Sequence, residues 1–327
     1  MRSLRMQGPS HGPDRTAVDD LPVPRPGPGQ VTIDVAHAGL NFLDVMARRG
    51  DPGYVPAWPY APGLEVSGRV REVGSAVSGL EPGRPVAAFT RGGGLAEVAV
   101  ADAALAVPVP DGVPGELAAA APLMLTSAYL LLTSVTRLGP GETVLMHAVG
   151  GGVGSAVAQL VPLLGGGLRI GTVGRPEKVP AALAAGWDVV LPRAAVTPEE
   201  VLATAGTGVD VVLDPLGTDM IGFDLDVAGP GARVALFGNP GGGTPQPLPP
   251  LGRLIGGNVA LAGFSMSRLT AAAPDRAAAG LRQVLALLAD GKLTMDVTVL
   301  DGLAEVPALL QLLAEGRGTG KYVVAVG

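Results

Sequence analysis

The most chemically suggestive stretch of this chain is a run of glycines between two apolar segments. Val144-Leu145-Met146-His147-Ala148-Val149 leads through Gly150-Gly151-Gly152-Val153-Gly154 into Ser155-Ala156-Val157-Ala158-Gln159-Leu160. A strand, a glycine turn and a helix in that order can cradle a pyrophosphate. Glycine permits the tight turn, and its missing side chain lets backbone N–H groups reach the phosphate at the positive end of the helix. A glycine triplet by itself is a weak sign in a chain with 50 glycines. The strand before it and the helix after it carry the reading, with Ala148, Gly151, Gly152, Val153 and Gly154 as backbone contacts. No Gly-Lys-Ser/Thr follows, so a nucleotide-triphosphate P-loop is excluded.

The second strand, ending at Val173, decides which dinucleotide would bind. An Asp or Glu at this distance from the glycines grips the ribose 2′-hydroxyl of NAD. Here the residues are Gly174-Arg175-Pro176-Glu177-Lys178. Gly174 removes the carboxylate that would repel a 2′-phosphate, Arg175 can fork onto that phosphate, and Lys178 adds a point charge. The expected cofactor is therefore NADPH.

The elements that must position these residues follow from the pattern of the chain. Residues 1–120 alternate Pro/Gly turns with short β-branched runs and read as a small all-β unit. From about residue 121 apolar strands alternate with Ala/Leu-rich helices. The strands are expected at Thr143–His147, Leu168–Val173, Val189–Leu191, Val209–Leu213, Ala232–Phe237 and Asn258–Ala262. Helices are expected at Glu177–Ala185, Pro198–Ala205 and Ala273–Ala289, and a last strand at Tyr322–Val326. Fully apolar strands alternating with helices imply a parallel sheet covered on both faces. The 327 residues suit two domains, and 47% hydrophobic against 16% charged residues supports large cores. With a net charge of −6 and no basic block, nucleic acid is not an expected partner. Leu117–Thr136 and Thr143–Leu168 are uncharged and long, but their Pro, Ser/Thr and Gly content marks buried segments rather than membrane spans. The absence of cysteine excludes disulfides and thiolate metal sites, and fits a cytoplasmic location.

Further segments carry a family resemblance. Gly39-Leu40-Asn41-Phe42-Leu43-Asp44 followed by Arg49-Gly50 resembles the Gly-x-Asn-x-x-Asp … Arg-x-Gly motif of quinone oxidoreductases. Pro62-Gly63-Leu64-Glu65-Val66-Ser67-Gly68 resembles their Pro-Gly-x-Glu-x-x-Gly. The 147–154 loop, Val209–Gly217, Leu236-Phe237-Gly238, Gly263-Phe264-Ser265 and Gly320-Lys321 are similar to later family segments, in order. The resemblance is to the zinc-free quinone oxidoreductase (zeta-crystallin-like) branch of the medium-chain dehydrogenase/reductase superfamily. It implies an α/β chain: a GroES-like β domain of residues 1–122 and 263–327, and a Rossmann doubly wound parallel-sheet domain of residues 123–262. The nicotinamide would lie in the cleft between them, and the protein would be a homodimer.

The same resemblance assigns roles. Zinc-containing relatives place ligands where this chain has Asn41 and Leu64, and His11, His37 and His147 show no ligand spacing, so no metal is expected; Glu65 then reads as structural. Without a Lewis acid, hydride delivery to an electron-poor acceptor needs hydrogen-bond donors for the developing oxyanion. Asn41 is the first candidate, against the alternative of a plain turn residue. Asp44 orients either its loop or the nicotinamide ribose. Ser127, with Thr126 beside it, falls where relatives keep a Thr near the nicotinamide, though packing or capping explains both as well. Many relatives carry a Tyr where this chain has Pro52, and Tyr54 is the candidate substitute as proton donor. Pro192 replaces another common Tyr, leaving Arg193 beside the adenosine. Pro162 is expected to kink or end its helix early. Pro215, Phe237, Gly238, Phe264 and Lys321 are cofactor contacts by motif, and Phe237–Thr244 is a glycine-rich loop near the substrate.

The reading from sequence is thus an NADPH-dependent reductase of quinones or enones, acting by hydride or electron transfer. Two alternatives stay open: an enoyl-thioester reductase of polyketide or fatty-acid type, and a non-redox NADPH-binding member.

Overall fold

The computed structural model describes residues 1–242 and 244–326, so Gly243 of the expected 237–244 loop lies outside the described residues. The chain divides into two compact units, Met1–Thr126 with Met266–Gly327, and Ser127–Ser265.

The first unit is built on a largely antiparallel sheet. Its path runs Val297–Leu300, Lys321–Ala325, Gln30–Leu40, Glu65–Val73, Pro85–Phe89, Ala106–Pro108, and Val98–Asp102 also pairs with Gln30–Leu40. Alternation in Val31-Thr32-Ile33-Asp34-Val35 sends the apolar side chains into a core shared with Leu4, Met6, Val66, Val70 and Val324. The all-β expectation for residues 1–120 omitted two helices, Phe42–Arg49 and Gly115–Ala120. The first begins inside the Gly-x-Asn-x-x-Asp segment. Asn41 is its N-cap, with the Asp44 carboxylate accepting from the Asn41 backbone N–H, and Gly50 closes it with φ 77°. Helix Pro274–Ala289 buries Ala277, Ala278, Leu281, Val284, Leu285 and Leu288, one apolar stripe of period 3.6.

The second unit is a six-stranded parallel sheet. In chain order its strands are Val144–Met146, Arg169–Val173, Val189–Pro192, Val209–Asp214, Ala228–Leu236 and Ala260–Gly263. Their order across the sheet is third, second, first, fourth, fifth, sixth. This is the doubly wound arrangement expected, a Rossmann fold. The strand order reverses between the first and fourth strands, so the ligand crevice of such a sheet opens at their carboxyl ends. Pro192 sits on an edge strand, where a missing N–H is tolerated, and the next residue restores the ladder through Arg193 N–H to the Val173 carbonyl at 2.8 Å. Pro162 lies one residue before the end of helix Gly152–Leu163.

The helical stretch Gly115–Val135 is long and apolar enough to cross a membrane, but 72% of its most apolar window is buried against the protein, as for a core helix. Two of its turns, Ala121–Leu125 and Leu131–Val135, are π-helical. Thr126 and Thr136 bridge them, their hydroxyls donating to the carbonyls five residues back, Ala121 and Leu131.

Candidate functional site

The chemistry-bearing residues form two clusters, one in each unit. In the parallel-sheet unit the glycine turn follows the first strand as expected. Ala148 takes φ 58°, a left-handed conformation that turns the chain sharply after His147. Gly154 is required by its surroundings: a Cβ there would stand 2.3 Å from the Val149 carbonyl oxygen. Only glycine lets the helix start so close to the turn, and the Trp187 indole N–H fixes that start by donating to the Gly154 carbonyl at 3.1 Å.

Beside this turn the structure gathers cations that the sequence spread over some twenty residues. The Lys178 stem packs on Gly150, its Cδ 2.9 Å from where a Cβ would stand. The Arg193 guanidinium lies 3.0 Å from the corresponding point on Gly174. Arg175 is half-exposed and 3.5 Å from Glu177. Burial, and next the Arg175 charge, pull the Lys178 ammonium below its ordinary pKa. Arg193 therefore lies over the glycine that ends the second strand, Lys178 over the first glycine of the phosphate turn, and Arg175 follows Gly174 in the chain.

The other predicted contacts of this unit fall on the loops after the fourth, fifth and sixth strands. Asp214 ends the fourth strand, and its Oδ1 accepts from Leu216 N–H at 2.6 Å and Gly217 N–H at 3.2 Å, folding the turn that carries Pro215. A Cβ on Gly238 would stand 2.3 Å from the Pro215 carbonyl oxygen, so these two loops touch backbone to backbone. Phe237 N–H donates to the Asp214 carbonyl, and Phe264 N–H to that of Leu236.

The second cluster is in the antiparallel unit. Glu65 is fully buried at the start of its strand. Its Oε1 accepts from Asn41 Nδ2 at 2.8 Å and from the Lys321 ammonium, and its Oε2 from Leu123 N–H at 2.7 Å. Lys321 also donates to the Leu40 carbonyl and to Asn41 Oδ1, each at 2.9 Å. The Asn41 carboxamide is thus fixed from both ends, with a cation on its oxygen and a carboxylate on its nitrogen. Gly39 makes this possible, because a Cβ there would fall 2.3 Å from Glu65 Oε1.

Lys321, expected to touch the cofactor, has all three ammonium protons accepted by protein oxygens and is 3% exposed; a buried cation needs such acceptors. Asp44 is buried with both oxygens accepting from backbone N–H groups, of Asn41 and Gly63, and so holds its loop. Burial pushes its carboxyl up to about 6. Thr126 is fully buried, its hydroxyl on Ala121. Ser127 is buried in the same helix. Tyr54 is half-buried against the core of its unit, its phenol raised by burial and then by the Asp51 carboxylate.

Sequence reasoning passed over His147, Asp214 and Asp224. His147 Nε2 lies 2.9 Å from Asp224 Oδ1 and Nδ1 lies 2.8 Å from Thr172 Oγ1, all in a fully buried setting. Charged residues inside otherwise apolar runs (Val-Val-Leu-Asp214, Phe-Asp224-Leu) were the available signal in a chain so poor in charge.

Zinc does not fit these residues. The amide oxygen at position 41 already accepts from an ammonium, which would repel a metal ion, and Leu64 offers no ligand atom. Among the described residues no group of three or more His, Asp or Glu could hold one.

Comparison with known proteins agrees with this architecture. Residues 27–111 match the alcohol dehydrogenase GroES-like domain and residues 152–286 the zinc-binding dehydrogenase domain. The quinone oxidoreductase of Pseudomonas syringae pv. Tomato DC3000 superposes with TM-score 0.89 at 30% identity, covering 99% of each chain. That of Escherichia coli, in complex with NADPH, gives 0.90 at 26%, covering 99% of this chain and 100% of that one. The human synaptic vesicle membrane protein VAT-1 homolog-like is 36% identical over 219 residues, 66% of this chain and 51% of that protein, so the match spans about half of that relative. The spectinabilin polyketide synthase protein NorB of Streptomyces orinoci is 34% identical over 94% of this chain but only 14% of its own length. With both domains matched in order and a cation-locked asparagine where a metal ligand would stand, the chain belongs to the zinc-free quinone oxidoreductase branch of the medium-chain dehydrogenase/reductase superfamily.

Proposed function

We propose that this protein is an NADPH-dependent reductase of quinones or related conjugated carbonyl compounds. The observation that carries the reading is Arg193 over Gly174 and Lys178 over Gly150, with Arg175 next to Gly174 in the chain. A side-chain-free position with an arginine over it and no carboxylate suits a 2′-phosphate and leaves nothing to grip a bare ribose hydroxyl. The Escherichia coli relative in complex with NADPH supports the same choice.

A bound nicotinamide would supply the hydride. The protein's part is to hold the acceptor and its developing negative charge. Among the described residues the second Asn41 Nδ2–H meets only the Gly39 carbonyl at 3.5 Å, the outer limit of hydrogen bonding, and is the donor for that oxygen. Lys321 and Glu65 act through Asn41 by fixing which end of the amide faces outward. Tyr54 remains the candidate proton donor and Ser127 a further polar contact.

The match to NorB favours a second reading, an enoyl-thioester reductase of the polyketide type. NADPH and NADH binding and oxidation, assayed with quinones, enones and a crotonyl thioester, separate the two. Quinone or enone turnover with NADPH supports the first reading, thioester turnover alone the second. Binding without turnover on any of them leaves a non-redox NADPH-binding protein. The reading includes a cytoplasmic homodimer, and sedimentation measures that state.

A further inference from the structure

Resting on the nucleotide-binding reading, we propose that His147, Asp224 and Asp214 are positioning residues that share one buried proton and thereby set nucleotide affinity. His147 directly follows the first strand and Asp214 ends the fourth, the two neighbours between which the strand order reverses. Both therefore stand directly beneath the crevice where a ligand of such a sheet binds. Asp224 joins them from helix Ile221–Val227, whose Phe223 ring packs edge-on against His147 with centroids 5.7 Å apart.

The hydrogen bonds leave two oxygens over. Asp214 Oδ1 holds the turn through Leu216 and Gly217, and Asp224 Oδ1 pairs with His147 Nε2 at 2.9 Å. The two Oδ2 atoms are buried, and among the described residues neither has a donor. Two ionised carboxylates cannot face one another in such a place, but one proton placed between them satisfies both. Burial first, and the Asp224 charge second, push the Asp214 carboxyl up to about 7, and burial raises Asp224 as well. The charged groups acting on Asp214 are Asp224 from the helix and His147 from the first strand; the second strand contributes the neutral Thr172 hydroxyl.

Loss of the shared proton sets the carboxylates against each other. The part able to yield is the turn that Asp214 holds. That turn carries Pro215 and Gly217, which lie against Gly238, and Asp214 also anchors Phe237 through its carbonyl. These are the segments assigned to the cofactor, so deprotonation loosens the nucleotide site without touching the ligand.

The test is NADPH and NADH dissociation constants of the whole protein from pH 5.5 to 9, for wild type and Asp224→Asn. The amide of the variant donates to Asp214 at every pH and still accepts from His147. Wild-type affinity for both nucleotides falls about tenfold as pH rises through 7, the loss expected if binding raises the pair's apparent pKa by about one unit. In D224N that dependence disappears, and NADH, which has no 2′-phosphate to titrate, shows this without interference. A parallel melting series keeps the result independent of ligand: wild-type Tm falls between pH 4 and 7.5 more steeply than that of D224N. Equal pH profiles for the two proteins overturn the brace while leaving nucleotide binding intact. No binding of either nucleotide by wild type at any pH overturns the underlying reading and this inference with it.

Discussion

Replacing Glu65 by Gln keeps the shape of the side chain and removes only its charge, so it measures what the buried Glu65–Lys321 pair does. Glu65 is fully buried and Lys321 is 3% exposed, so water cannot take over from a lost partner. Either orientation of the new amide fails. With its oxygen toward Asn41 and Lys321, its NH2 opposes Leu123 N–H; reversed, it opposes the ammonium and the Asn41 NH2. Removing one member of a buried ion pair costs about 3–5 kcal/mol, chiefly through the charge left behind. At about 2–4 °C per kcal/mol for a unit of this size, the melting temperature drops by roughly 6–20 °C. Adding Lys321→Met to Glu65→Gln removes the stranded charge and recovers a large part of the loss, since apolar replacement of a whole buried pair is often neutral. Urea denaturation of the parent, both single variants and the double variant closes the cycle. Turnover distinguishes positioning from stability: the double variant folds but has a lower kcat, because the Asn41 amide is free to flip. A Glu65→Gln protein within about 1 kcal/mol of wild type, or a cycle with no coupling, would refute the reasoning.

Other perturbations test the remaining geometry. Arg193→Ala should weaken NADPH binding on the order of 10- to 150-fold, the range of about 1.5–3 kcal/mol for hydrogen bonds to charged groups, while NADH binding stays within about twofold; equal losses for both would mean that the cations do not read a 2′-phosphate. Gly154→Ala drives a Cβ into the Val149 backbone, which has no flexible end to move aside. A loss of about 1–3 kcal/mol in stability and weaker binding of both nucleotides are expected, by thermal melts and titration. Stability should also fall with rising pH in the acid-to-neutral range. The Asp44 and Asp214 carboxyls are raised to about 6 and about 7 in the folded state, so their contribution is complete below the unfolded value near 4 and is lost as pH rises through 6 and 7. Glu97, Glu142 and Asp188, held low by hydrogen bonds from Arg2, Arg233 and Arg169, act in the opposite sense and lose stability as pH falls below about 4. A Tm that rises from pH 5 to 7.5 would contradict the first pair.

Sequence alone settled what is written in local pattern. The strand, glycine turn and helix at 144–160, the apolar strands of the parallel sheet and the helix at 198–205 were legible because periodicity and glycine chemistry act over a few neighbouring residues. Boundaries moved by one to four residues, and the helix after Asn41 was missed because Pro/Gly punctuation dominates its surroundings. The roles of charged residues could not be read in this way. Lys321 and Glu65 are 256 positions apart, and His147 and Asp224 are 77 apart. Nothing in either local sequence says that an ammonium will meet a carboxylate rather than a phosphate. The fold decides that by burying them together, and burial is what turns a charge from a free contact into one that must be answered by a specific partner. Fold and cofactor class thus follow from short-range pattern. Which side chains face a ligand, and which hold those that do, follows only from the long-range packing that excludes water from some of them.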